Sequence, residues 1–161
     1  MNVRRKNQKG FSLIELLIVV AIILIIAAIA IPNLMRSKIQ ANEAAAVETL
    51  KTLDTSVVMY STTYGGFPHA LADMGPSSGA ATTSAAADLI DSVLATGVKS
   101  GYRYAYAVAS TDPAGNVLSY SITATPITLG VTGQRSFYTD QSGTIRSTTS
   151  GNADSTSTPI G

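Results

Sequence analysis

The residue with the clearest potential for chemistry in this sequence is Glu15, a carboxylate inside an otherwise apolar stretch. Residues 11–31 contain only two polar side chains, Ser12 and Glu15, and residues 16–31 are all apolar. An ionisable group in such a segment is costly unless an opposite charge pairs with it. Glu15 is therefore a candidate functional residue, and its chemistry would be charge pairing.

The rest of the sequence offers little for catalysis. The chain has no cysteine, and His69 is its single histidine, so thiolate chemistry and multi-histidine metal sites are excluded. No phosphate-binding glycine loop or nucleophile-elbow motif is present. We expect a protein that is not an enzyme, with no catalytic residue, no cofactor and no metal site, and we expect His69 to be solvated.

Charge and hydropathy indicate a membrane segment at the amino terminus. Of 161 residues 13% are charged, and four basic residues, Arg4, Arg5, Lys6 and Lys9, precede the apolar stretch. Residues 11–31 would span roughly 31 Å as a helix, about the thickness of a bilayer core. The basic cluster predicts a single pass with the amino terminus inside. A chain that is basic only at one tip is not expected to have nucleic acid as its main partner.

Three interpretations of this segment are open. A secretory signal peptide would be cleaved after the Ala28-Ile29-Ala30 stretch, but residues 16–31 exceed an ordinary hydrophobic region in length. A plain anchor explains the length but gives Glu15 no purpose. The third interpretation rests on the string from Lys9 to Val20, KGFSLIELLIVV.

That string resembles the class III signal of type IV pilins and of their relatives, the pseudopilins of type II secretion. The resemblance implies that a prepilin peptidase cuts between Gly10 and Phe11 and methylates the new amine of Phe11. Cleavage would remove the basic cluster and leave a cation at Phe11, one helical turn before Glu15. When such helices stack, the Phe11 amine of a neighbour can pair with Glu15, and this pairing would select one axial register.

Beyond the apolar stretch the sequence predicts an amphipathic helix over residues 32–64, with a kink at Pro32. Apolar residues recur at helical spacing along one face, and the charged residues point elsewhere. Gly65-Gly66 and Pro68 end the helix. The apolar set is Met35, Ile39, Ala46, Leu50, Leu53, Val57, Tyr60 and Tyr64, and the charged set is Lys38, Glu48, Lys51 and Asp54.

A small α+β head follows this helix. Residues 65–101 form a connecting region in which 85–95 could make a short helix. From residue 102 to 148 the period changes to two, which predicts an antiparallel sheet with a turn at residues 112–116. On the second strand the alternating residues are Leu118, Tyr120, Ile122 and Ala124. The second half of the long helix should pack on this sheet, because neither element can bury itself alone. Residues 149–161 form a Ser- and Thr-rich tail, expected to be solvated.

The resulting hypothesis is a structural subunit of a type IV pilus-like filament, a helical homopolymer of this chain. The resemblance implies a prepilin peptidase, an inner-membrane assembly platform and an ATPase as partners. The subunit would be an inner-membrane protein before assembly and part of a cell-surface pilus afterwards. The alternative is a pseudopilin in a periplasmic pseudopilus of type II secretion, and a third hypothesis is a membrane-anchored binding module or enzyme.

Overall fold

A computed structural model describes residues 10–79 and 81–160. Its first element is a helix, α1, which extends from Leu13 to Tyr64 and contains Pro32. The chain divides into two compact units, one up to Ser37 and one from Lys38 onward. Within residues 10–37 no side chain is buried. The basic cluster of the predicted leader, at positions 4–9, lies outside the described residues.

In the second unit, the predicted apolar face of α1 is the buried face. Its buried positions are separated by three or four residues, apart from the adjacent pairs Thr49-Leu50 and Ser56-Val57, and this is the spacing of one side of a helix. They include Ala46, Leu50, Leu53 and Val57, all with no exposed surface. Met35 is exposed and Tyr64 lies at the margin of the core, so the face is shorter at both ends than the sequence predicted.

Asp54 corrects the prediction for the charged face. Glu48 and Lys51 are exposed as expected, but Asp54 is half-buried and accepts a hydrogen bond of 2.9 Å from the Thr139 hydroxyl. The Tyr120 hydroxyl contacts its other carboxylate oxygen at 3.4 Å. These partners are 85 and 66 residues away in sequence, so helical periodicity could not reveal them.

The sheet has six antiparallel strands in sequence order, so each strand pairs with the next one along the chain. Tyr102, Tyr104, Ile122 and Phe137 are buried between the sheet and α1. This architecture confirms the predicted α+β fold, a long helix whose second half packs on an antiparallel sheet. The strands are β1 (Val98–Lys99), β2 (Tyr102–Thr111), β3 (Val117–Pro126), β4 (Ser136–Asp140), β5 (Arg146–Thr148) and β6 (Thr158–Pro159).

The predicted alternation of Leu118 with Tyr120, Ile122 and Ala124 breaks down at Leu118. Ser110 pairs with Ser119, and the next pair is Thr111 with Val117, so the register skips Leu118. Such a bulge reverses the inward and outward alternation beyond it. Val117 is therefore buried in place of Leu118, whose side chain is exposed. The predicted turn at residues 112–116 is present, with the Asp112 and Asn116 backbones hydrogen-bonded across it.

The connecting region is less helical than predicted. A single turn, α2 (Ser92–Ala95), is capped by the Asp91 carboxylate, and a 3-10 helix covers Leu71–Met74. Residues 87–90 instead donate their backbone N–H groups to carbonyl oxygens of residues 73–75. Those distant acceptors compete with the hydrogen bonds of a helix over 85–91, which is why the apolar spacing there was misleading.

The tail is packed at several points, contrary to the expectation of a solvated segment. Ala153 is buried, and the backbone N–H of Ile160 donates to the carbonyl of Ile145. Ile160 also packs against the core. With β1 and β6, the sheet therefore extends beyond the predicted limits of 102–148 on both sides.

Candidate functional site

The amino-terminal site begins with two residues that precede the helix. Gly10 and Phe11 have no regular secondary structure. Phe11 is 93% exposed, and no atom lies within 4 Å of the position that a β-carbon on Gly10 would occupy. Among the described residues, the Phe11 side chain and the β-carbon position of Gly10 are therefore open to the surroundings.

Ser12 and Glu15 form the start of α1. The backbone N–H of Ser12 donates to the Glu15 carboxylate at 2.9 Å, and the carbonyl of Ser12 accepts the N–H of Leu16 at 3.3 Å. A glutamate in the first turn that reaches back to the capping residue is one half of a capping box. Its negative charge also complements the positive end of the helix dipole. Hydropathy alone did not reveal this local role, and the Ser-x-x-Glu spacing is the sequence signal for it.

Glu15 shares one face of the helix with apolar neighbours. An open groove of about 460 Å³ is lined by Phe11, Glu15, Leu16, Ile18 and Val19. Over its most apolar 18 residues, α1 has a mean hydropathy of 3.3, and none of these residues is buried. By length and composition α1 could therefore cross a membrane. The carboxylate therefore stands on a surface whose other side chains favour lipid or the apolar face of another helix.

Pro32 lies inside α1, immediately after the apolar run. Proline has no backbone N–H, so the carbonyl four residues earlier loses its helical donor. The residues on both sides of Pro32 remain helical.

Comparison with known proteins identifies the amino-terminal segment. Residues 5–31 match the prokaryotic N-terminal methylation motif. The match contains Gly10, Phe11 and Glu15. In this segment the chain is similar to proteins that carry this motif. The resemblance seen in the sequence is thereby confirmed.

The curated relatives include proteins of type II secretion systems and proteins of type IV pili. The type II secretion system core protein G of Klebsiella michiganensis is 34% identical over 65 residues, 40% of this chain and 46% of that protein. The type IV wide pilus major component PilA4 of Thermus thermophilus is 60% identical over 38 residues, 24% of this chain and 29% of that protein. The type IV major pilin protein PilA of Myxococcus xanthus is 50% identical over 58 residues, which are 35% of this chain and 26% of that protein. The matches thus span less than half of each relative.

The head has a second charged cluster that the sequence did not reveal. Glu43 is buried, and its carboxylate accepts the backbone N–H groups of Gln134 at 2.8 Å and Arg135 at 3.1 Å. The Nε of Arg135 donates to it at 2.8 Å. Burial alone would raise the pKa of Glu43, but these donors and the guanidinium charge outweigh burial and lower it. The cluster ties α1 to the chain just before β4.

Other polar residues that could bind ions or move protons lie in the loops of the head or at a strand end. His69 is exposed, as expected, and its backbone N–H donates to the Asp73 carboxylate. Asp140 and Asp154 accept hydrogen bonds from neighbours within three residues of themselves. Over residues 10–79 and 81–160, no group of three or more His, Asp or Glu side chains is placed to hold a metal ion.

Proposed function

We propose that this chain is the structural subunit of a type IV pilus-like filament. A prepilin peptidase cleaves it between Gly10 and Phe11 and methylates Phe11, and the processed chain waits in the inner membrane with its amino terminus inside. An assembly platform and an ATPase then extract it into a helical homopolymer on the cell surface. The observation that carries the proposal is the position of Glu15, inside the methylation motif and exposed on an apolar helix face.

Glu15 gives the proposal its mechanism. In the unprocessed chain its carboxylate accepts the N–H of Ser12. Cleavage creates a positively charged amine at Phe11, and methylation preserves that charge. When helices bundle away from water, pairing the Phe11 amine of an incoming subunit with Glu15 avoids two unpaired charges in a medium of low dielectric constant. Only one axial offset between helices permits this pair, so the pair sets the register of the filament.

Pro32 has a structural role in this proposal. It ends the run of apolar residues and leaves one carbonyl without its helical donor. A bend or local loosening there would let the apolar segment of each subunit adjust to its neighbours in the bundle.

A second candidate function is supported by the relatives that are named as type II secretion core protein G. In that case the chain is a pseudopilin, and its filament is short and periplasmic. Loss of protein export with surface fibres unchanged, after deletion of the gene, would favour this candidate. Loss of surface fibres with export unchanged would favour the pilus.

We also propose that the chain is not an enzyme and supplies no energy for assembly. The sequence has no phosphate-binding glycine loop, no cysteine and a single histidine, and that histidine is exposed on a loop. The work of extraction must therefore come from the partners.

The test compares Glu15→Ala and Glu15→Gln with the native chain in the host cell. We expect both variants to be inserted and processed normally, because each makes the segment less polar and leaves Gly10 and Phe11 unchanged. Filament yield should collapse in both, since removing one partner of a buried ion pair costs about 3–5 kcal/mol. The matched control is Glu48→Gln, which removes an exposed carboxylate from the same helix.

Two measurements decide the outcome. Intact mass of the membrane pool shows whether the mature chain starts at Phe11, whereas a start at Ile31 would support the secretory signal and a start at Met1 the plain anchor. The ratio of sheared filament to membrane-pool subunit shows assembly. Normal filament yield from both Glu15 variants would refute the pairing mechanism.

A further inference from the structure

The connection between β3 and β4 displays apolar side chains to solvent. We call residues 127–133 the apolar loop. Ile127 is 48% exposed, Leu129 69% and Val131 51%, and residues 126–134 include no charged side chain. Exposed apolar side chains that cluster on one segment indicate an interaction surface more often than isolated ones do.

The apolar loop has a defined conformation. The Thr132 hydroxyl donates to the carbonyl of Thr128 and accepts the N–H of the same residue. The N–H groups of Val131 and Thr132 donate to the Thr128 carbonyl at 3.1 and 2.9 Å, and the N–H of Gly130 donates to the carbonyl of Gly133. A loop that is already ordered loses little conformational entropy when its side chains bind a surface.

The apolar loop is attached to α1 close to where the head begins. The side-chain amide of Asn42 donates to the Thr132 carbonyl at 2.8 Å, and Gly101 lies against both residues. The Glu43 carboxylate holds the next two residues of the chain, Gln134 and Arg135. The loop is therefore level with Asn42 and Glu43, which follow the first buried residue of α1, Ile39.

The contacts along α1 place the apolar loop at one end of the head. Arg135, just before β4, meets Glu43, whereas Thr139, near the end of β4, meets Asp54. β3 runs antiparallel to β4, so its last residues return to the Glu43 end. The opposite end of the head carries the turn between β2 and β3, where the N–H of Phe67 donates to the Val117 carbonyl.

The end with the apolar loop is the one nearest to the predicted membrane span along the chain. Asn42 is eleven residues after Ile31 in the sequence. Two exposed cations lie at this end. Lys38 directly precedes Ile39 in α1, and Arg103 follows Tyr102, which pairs with Pro126 at the end of β3. The acids near this end are paired, Glu43 with Arg135 and Asp91 with Lys99. Apolar side chains flanked by cations fit a bilayer surface with anionic headgroups.

We infer that in the unassembled subunit the apolar loop docks into the headgroup region of the membrane, with Leu129 inserted deepest. This inference rests on the membrane insertion of residues 11–31 proposed above. The docked loop fixes the head against the bilayer until extraction, and assembly into a filament must detach it.

The absence of tryptophan from the chain allows a direct test. The full chain is reconstituted into vesicles of phosphatidylcholine and phosphatidylglycerol, with or without bromine on the acyl chains, carrying one new fluorophore at a time. Leu129→Trp reports on the apolar loop. Leu118→Trp is the matched control, because Leu118 is 57% exposed near the opposite end of the head. Ile23→Trp reports on the predicted span.

We expect brominated lipid to reduce the emission of Leu129→Trp to about half, since docked side chains sit ~5–10 Å into the boundary between headgroups and acyl chains. Leu118→Trp should be unaffected and Ile23→Trp strongly quenched. Val131→Trp is a second reporter on the loop should the first variant fail to fold.

Failure of this inference and failure of the proposed function give different results. If Ile23→Trp is not quenched, the segment does not insert and the proposed function is at fault. If Ile23→Trp is quenched while both loop reporters behave like Leu118→Trp, docking of the loop is overturned. Protection of the loop reporters only in assembled filaments would also overturn it, and would assign the surface to a second copy of the chain.

Discussion

Replacing Glu43 with alanine should destabilise the head more than any other single charge removal on α1. The variant leaves two backbone N–H groups and one guanidinium without the carboxylate that they share at 2.8–3.1 Å. Alanine is a good helix former, so the helix itself loses nothing. The predicted effect therefore comes from the lost tertiary contacts alone.

The magnitude follows from burial. Removing one partner of a fully buried pair costs about 3–5 kcal/mol. The Glu43 side chain is 9% exposed but that of Arg135 is 40% exposed, so water can solvate the guanidinium after the change. We therefore expect the free energy of unfolding to fall by about 2–4 kcal/mol. Most of this loss comes from the two backbone donors, because each buried group left unsatisfied costs about 1–3 kcal/mol. Glu43→Gln keeps an acceptor for these donors and should lose less.

The effect should depend on pH with a definite sign. The pKa of Glu43 in the folded head is lowered from its ordinary value of 4.5, so the folded state binds its proton less readily than the unfolded state does. The stabilisation is complete above pH 4.5 and is lost as the pH falls through the lowered folded pKa. The difference between the native chain and Glu43→Ala should therefore shrink in acid.

The assay is denaturant unfolding of the full chain in detergent, followed by near-ultraviolet circular dichroism of its seven tyrosines. A loss of 2–4 kcal/mol would lower the urea midpoint by about 1–2 M. Glu48→Ala is the matched control, since this exposed glutamate on the same helix should change stability by less than about 0.5 kcal/mol. Equal midpoints for the two variants would refute the assignment of Glu43 as the anchor of the β3–β4 connection.

Two further changes test the packing of the head. Burial raises the pKa of Asp54 above 3.8 despite its hydrogen bond from Thr139, so the folded state binds this proton more readily than the unfolded state does. The contribution of Asp54 to the free energy of unfolding should therefore fall as the pH rises from 3.8 through that raised value. Asp54→Asn should therefore be at least as stable as the native chain at pH 7, and lower stability than native at pH 7 would contradict the argument. A β-carbon on Gly133 would overlap the hydroxyl of Tyr102, which is fully buried. Gly133→Ala should cost about 1–3 kcal/mol, whereas Gly79→Ala, with open space around it, should be neutral in the same unfolding assay.

Some features of this chain follow from short stretches of sequence. The apolar run, the methylation motif and the exit of α1 at Gly65 depend on residues within a few positions of one another, and hydropathy or backbone conformation alone determines them. The buried face of α1 from Ala46 to Tyr60 is equally local, because a helix fixes which side chains share a side. The prediction of an amino-terminal site is local for the same reason, since Gly10, Phe11 and Glu15 lie within six residues.

Other features depended on partners far along the chain. Asp54 is half-buried because the hydroxyl groups of Thr139 and Tyr120 donate hydrogen bonds to it. Glu43 is buried because the backbone N–H groups of Gln134 and Arg135, 91 and 92 positions later in the chain, donate to its carboxylate. Leu118 points outward because β2 and β3 lose register between Val108 and Thr111. The type of a residue determines only whether its own burial is favourable or costly. The hydrogen bond or ion pair that offsets the cost of burying a charge forms only when the fold brings a distant segment beside it. Tertiary structure alone therefore decided where these side chains lie.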